Sequence, residues 1–239
     1  MKFPGENARW GFGEVFSILL LIIGAGITYG YWGPPLVAYL VYHQVIAGTL
    51  TDEFVIGYIV QFSVTVGGVL FFALLVRRDS LRSLGLRKVL PRDVFNWGVG
   101  GGVFLFITIL VMGALLEHLV PELPPQPFEQ VLKGVTDLRE FLVLLVLVSV
   151  FAPLAEEMYF RGFVYPVFRQ RVGVTAGIIL SGLFFGVAHW DLWRLVPLAL
   201  GGVGLAVIYE KSRSLYPCWL AHGLWNGAMG IIYYLAYLR

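Results

Sequence analysis

The chain is poor in charge. Asp, Glu, Lys and Arg make up only 13% of its 239 residues, whereas 58% are hydrophobic. Soluble domains usually carry about 25% charged residues. Together with a mean hydropathy of +0.79, this deficit excludes a water-soluble globular domain, so most of the apolar surface must face lipid or other membrane helices. Cysteine is nearly absent. A single Cys218 excludes a disulfide framework and a cysteine-based metal site, and within Leu215–Leu220 it reads as a buried structural thiol. The net charge of +2 is too small to draw nucleic acid, and no basic patch is interleaved with aromatics. Repeats and low-complexity tracts are missing, as is a His-Glu-x-x-His zinc motif. Ser149 and Ser181 are present, but neither has an evident histidine base at short range.

What the sequence does contain is a series of apolar stretches, at 15–46, 54–76, 94–116, 141–168, 174–190, 195–209 and 215–238. Several reach the roughly 20 residues needed to cross a bilayer. They predict an all-α membrane protein, a polytopic bundle of 7–8 transmembrane helices enclosing an intramembrane polar cavity. Residues 1–239 read as one integral membrane domain. The count is open because Gly33-Pro34-Pro35 interrupts the first stretch, which is either one long broken helix or a span followed by a short second one. Lys2 and Arg9 before Val15–Tyr31 resemble a signal peptide only loosely, and a retained first span is the expectation.

Charge in the linkers alternates. Arg77, Arg78, Arg82, Arg87, Lys88 and Arg92 crowd one loop, Arg169 and Arg171 a second, and Lys211 and Arg213 a third. Between them lie the acidic Asp52–Glu53 turn and the proline-rich 117–140 loop. The positive-inside rule places 77–93, 169–173 and 210–214 in the cytoplasm and Trp190–Arg194 at the opposite interface. Phe128–Val135 is a candidate interfacial helix. The overall expectation is a multi-pass protein of a prokaryotic cell membrane, with the lipid bilayer as its surroundings.

Against this apolar background, six polar side chains stand out: Glu156, Glu157, Arg161, His189, His222 and Asn226. An ionisable group at bilayer depth costs about 2.5–3.5 kcal/mol on insertion scales, so such groups pair with one another or line a wet cavity. Glu157 and Arg161 are four apart and share a helix face, acid before base. Glu156 lies about 100° around the helix, free to take a proton. His222 and Asn226 are also four apart. If the chain reverses near Arg169–Gly173, Glu156 and His189 lie at nearly equal depth, about 25 Å along each helix. Counted from Lys211–Arg213, His222 and Asn226 reach about 15–21 Å, close to the same layer. Glycine pairs Gly182/Gly186 and Gly223/Gly227 would let the helices carrying these groups approach closely.

A carboxylate, two imidazoles and a carboxamide in a secluded pocket suit amide hydrolysis without a covalent enzyme intermediate. The carboxylate acts as base towards water, a histidine orients that water, and amide and imidazole N–H groups stabilise the oxyanion. The same two histidines and Glu156 are also a known zinc set, so at this level His189, His222 and Glu156 stand equally as metal ligands. Two non-hydrolytic readings stand beside it: an inactive immunity or scaffold protein, and a small transporter using the buried carboxylates. The absence of an obvious inverted repeat weighs against the last.

Glu156-Glu157-x-x-x-Arg161, Phe185-x-x-x-His189 and His222-x-x-x-Asn226, in that order, resemble the three motifs of the CAAX protease and bacteriocin-processing family, membrane endopeptidases related to the type II CAAX prenyl endopeptidase. The resemblance covers 142–230, which would be the catalytic core. It implies a bundle of about eight helices around an intramembrane cavity and a membrane-anchored peptide or protein as substrate. Glu156 would activate water with His189 as its partner, and His222 and Asn226 would form the oxyanion pair. Glu157 and Arg161 would set the electrostatics, with Phe185 as a packing residue. Metal dependence, zinc above all, stays open.

Overall fold

The structure, a computed structural model, describes residues 3–6, 8–120 and 122–237, the Tyr237 side chain excepted. All regular structure among them is helical. Helix α1 (Phe12–Tyr42) is continuous and carries Pro34 and Pro35 inside it, so the first stretch is one helix and the break expected at Gly33-Pro34-Pro35 is absent from it. In lipid a broken helix finds no water for its freed backbone groups, so continuing past the prolines is favoured. Its length, about 46 Å at 1.5 Å per residue, exceeds a hydrocarbon core of about 30 Å.

Helix α2 (Leu50–Val76) begins with a reciprocal cap: Asp52 N donates to Thr49 Oγ1 (3.2 Å) and Thr49 N donates to the Asp52 carboxylate (3.1 Å). Helix α3 (Pro91–Leu119) starts on a proline, whose missing N–H would have no helical partner there anyway. The short helix α4 (Pro127–Lys133) forms within the segment expected to be helical, 128–135. It packs down through Phe128 and Leu132 onto Phe141, Leu144, Tyr233 and Tyr234, forming a second apolar cluster.

The helical run Leu138–Ala188 is folded back on itself at Gly173, whose φ of 82° lies in the left-handed region open to glycine. It therefore makes two helices, α5 (138–172) and α6 (174–188). A Cβ on Gly177 would come within 3.0 Å of the Arg169 backbone, which is possible only if the chain reverses as its basic turn predicts. Helices α7 (Leu195–Ser212) and α8 (Leu215–Tyr237) complete the bundle. Seven long helices are thus described. Five helical runs, counting 138–188 as one, are long and apolar enough to cross a membrane. The chain is an integral membrane protein.

Helix contacts run through the glycines. A Cβ on Gly182 would meet the Val203 backbone nitrogen at 2.6 Å, and one on Gly202 would meet Gly182 Cα at 2.9 Å, so α6 and α7 touch backbone to backbone. On α8, Gly223 lies against the Ser149 carbonyl and Gly227 against the Ser149 side chain. Both predicted glycine pairs serve close approach.

Helix α5 includes two π-helical segments, Leu147–Phe151 and Met158–Val164, one on each side of the two glutamates. A π turn displaces carbonyls from the regular ladder, and carbonyls away from water then need other donors. Side chains supply them. Asn226 Nδ2 donates to Val148 O (3.1 Å), Trp219 Nε1 to Val150 O (2.7 Å) and Trp10 Nε1 to Phe163 O (2.8 Å).

Candidate active site

Reversal at Gly173 brings α5 and α6 antiparallel, and α8 packs along α5. Glu156 and Glu157 sit at the end of a short α-helical stretch, Ala152–Glu157, between the two π segments. Adjacent in sequence, they face different surroundings. Glu157 is buried, its side chain only 1% exposed, whereas Glu156 keeps 29% exposure and is the accessible carboxylate.

Glu157 Oε1 accepts two hydrogen bonds, from Arg161 Nη1 (3.0 Å) and from His222 Nδ1 (2.8 Å). Arg161 is fully buried. It also donates from Nη2 to Gly202 O (3.0 Å), and its guanidinium lies 4.6 Å from the Phe185 ring centre. Buried charges persist only when paired and hydrogen-bonded, and three elements contribute to pairing these two, while Glu157 Oε2 and Arg161 Nε stay without a hydrogen-bond partner. Phe185 is the hub of the packing: its ring lies 4.5 Å from that of His189 and 5.8 Å from that of His222.

Hydrogen-bond acceptors fix the tautomers. A carboxylate and a backbone carbonyl only accept, so His222 Nδ1 donates to Glu157, and His189 Nδ1 donates to Phe185 O (2.7 Å). Both Nε2 atoms are thereby aimed at one atom. His189 Nε2 is 3.9 Å and His222 Nε2 is 3.8 Å from Glu156 Oε2, which is itself buried and has no hydrogen-bond partner. These gaps are too long for direct hydrogen bonds and suit a water bridging them.

The same atoms can be tested against zinc. The donor chemistry fits, with both imidazoles oriented by outer partners as metal-ligating histidines commonly are. Two ligands on one tetrahedral zinc stand about 3.3 Å apart, given bonds of about 2.0–2.1 Å. The spacings here are wider, and among the described residues no three His, Cys, Asp or Glu side chains are grouped tightly enough for a metal ion. An intervening water fits better.

Of the residues singled out from the sequence, the structure gathers Glu156, Glu157, Arg161, His189, His222 and Phe185. Asn226 stands one turn beyond His222 on α8, with one amide hydrogen committed to Val148 O. Two neighbours were not singled out. Trp225 stacks on His222, with ring centres 5.3 Å apart, and its spacing of three from His222 was the available signal. Tyr58 on α2 lies where the charge of Glu156 acts on its hydroxyl, and nothing in the sequence marks it.

Comparison with known proteins bears on the same segment. Residues 138–228 match the family described as type II CAAX prenyl endopeptidase Rce1-like. The chain is 31% identical over 121 residues to an "Uncharacterized 24.3 kDa protein" of Escherichia coli, covering 49% of this chain and 54% of that one. It is 23% identical over 95 residues to the "Putative membrane peptidase YdiL" of Bacillus subtilis (strain 168), covering 39% of each. The chain thus spans about half or less of the curated relatives it matches. No solved structure matches it significantly.

Proposed function

We propose that this chain, whose residues 138–228 match the Rce1-like family of type II CAAX prenyl endopeptidases, hydrolyses a peptide bond of a membrane-anchored peptide or protein inside the bilayer. One observation carries the reading: two imidazole Nε2 atoms face a single buried, unpartnered oxygen, Glu156 Oε2. The match over 138–228 supports a membrane endopeptidase in general. The distances among these side chains support the roles given to them below.

A water between Glu156 Oε2 and His189 Nε2 finds an acceptor for each of its hydrogens, leaving a lone pair for the scissile carbonyl carbon. Attack forms the C–O bond, Glu156 takes the proton, and the carbonyl oxygen becomes an oxyanion. The proton passes to His222 Nε2, and the Glu157 carboxylate at 2.8 Å stabilises the resulting imidazolium. His222 and the remaining Asn226 amide hydrogen then face the oxyanion. Collapse breaks the C–N bond, and His222 returns the proton to the leaving amine. Zinc, where bound, would be held by Glu156, His189 and His222 and would supply an acidified water.

The test compares membranes of cells producing wild type with those producing Glu156→Gln. Mass spectrometry of protein termini is expected to find a membrane-anchored protein that stays uncut in the variant. Identical termini in both would contradict the reading. Elemental analysis of purified protein reads the metal separately: about one zinc per chain, lost in His189→Ala, would assign those three side chains to zinc.

A further inference from the structure

A second polar site lies on the opposite side of the bundle, among the basic loops. The N-terminal segment, the α2–α3 loop and the start of α8 together line a groove of about 930 Å³. Four cations border it, Arg9, Arg82, Arg87 and Lys88, against two acids, Glu6 and Asp79. Both acids are already engaged. Glu6 accepts from Phe3 N (3.3 Å), and Asp79 accepts from Ser80 N (2.8 Å) and Ser83 Oγ (2.5 Å). Among the described residues, none of Arg82, Arg87 and Lys88 forms an ion pair, and Arg87 Nε is buried without any hydrogen-bond partner.

This arrangement goes beyond a charge bias that orients loops. A buried guanidinium nitrogen without an acceptor costs free energy unless a ligand supplies one. The walls are held rigid from several directions. Gln170 Nε2 donates to Gly5 O (2.7 Å), Leu215 N to Gly85 O (2.9 Å) and Ser214 Oγ to Arg87 O (2.9 Å). Phe3 is buried against Tyr165 and Tyr209. Beside the groove, Leu81 and Leu90 are exposed, as side chains at a lipid interface would be.

We propose that this groove binds the phosphate of an anionic phospholipid headgroup, with Arg82, Arg87 and Lys88 as its donors. Guanidinium forks and an ammonium match phosphate oxygens, and juxtamembrane cations attract anionic lipid. The volume suits a headgroup with its glycerol rather than a bare ion. The inference does not depend on the protease reading.

Native mass spectrometry of the full chain in detergent tests it, with phosphatidylglycerol, phosphatidylcholine and inorganic phosphate as probes. Wild type is expected to retain phosphatidylglycerol over phosphatidylcholine, with millimolar inorganic phosphate failing to displace it. Arg82→Gln/Lys88→Gln, at two exposed side chains that leave half-buried Arg87 in place, should weaken phosphatidylglycerol binding by about fivefold per cation removed. Arg92→Gln, in the first turn of α3 and outside the groove, should retain it. Equal retention of both lipids, an unchanged double variant, an equal loss in Arg92→Gln, or displacement by inorganic phosphate would each overturn the proposal.

Discussion

Glu156 and Glu157 differ in role because a helix turns about 100° per residue, which sends one towards Arg161 and the other towards two free Nε2 atoms. The pairing of Glu157 with Arg161 was readable from their spacing of four. The hydrogen bond from His222 Nδ1 to Glu157 was not, because it joins two helices 65 residues apart in sequence. Its consequence can be measured. Glu157→Gln keeps the shape but removes the charge that stabilises a protonated His222, so kcat is expected to fall about 10²–10⁴-fold with KM little changed. Glu157→Ala leaves Arg161 buried without its partner and should cost about 3–5 kcal/mol of stability, seen as a lower thermal midpoint in detergent. Equal kcat for wild type and Glu157→Gln would remove Glu157 from the mechanism.

At the scale of elements, the reversal at Gly173 and the glycine contacts were legible because backbone approach in lipid favours residues without side chains. The π segments were not legible, since no local pattern announces them, and so the bond from Asn226 to Val148 was hidden too. Gly223→Ala would push a methyl group into the Ser149 carbonyl and should destabilise by about 1–3 kcal/mol or more. Gly113→Ala, with open space around it, should be close to neutral or slightly stabilising. Thermal unfolding of the two variants checks the contrast. Another element is held electrostatically. Asp191 accepts from Arg194 Nη1 (2.8 Å), and Arg194 Nη2 reaches across to Pro124 O (2.7 Å), tethering the proline-rich loop. Burial acts to raise the Asp191 carboxyl, but hydrogen bonds from Arg194 outweigh it and hold the group below its ordinary value. A depressed folded-state pKa contributes stability above the unfolded value and loses it as pH falls through the folded one. The difference in thermal midpoint between wild type and Asp191→Asn should therefore shrink as pH is lowered below about 4.

For the molecule as a whole, composition sufficed to read a helical membrane bundle, and only the state of the first stretch needed coordinates. Asymmetry across the bilayer has a functional consequence. Glu156 and His189 lie about 25 Å along their helices from the basic turn at Gly173. The proposed site is therefore nearer the face bearing Trp190 and Trp193, both exposed. Substrate is expected to enter from that side. In sealed vesicles, single cysteines at Arg171 and at Trp193 should be labelled by impermeant reagents from opposite sides. Labelling of both from one side would contradict the topology.

The most direct measurement is peptide-bond cleavage by purified Glu156→Gln protein, acting on the membrane-anchored substrate that accumulates when Glu156 is lost. A variant that unfolds at the wild-type temperature but cleaves at least about 10²-fold more slowly is the expected result. Cleavage at the wild-type rate by that folded variant would contradict a Glu156-activated water.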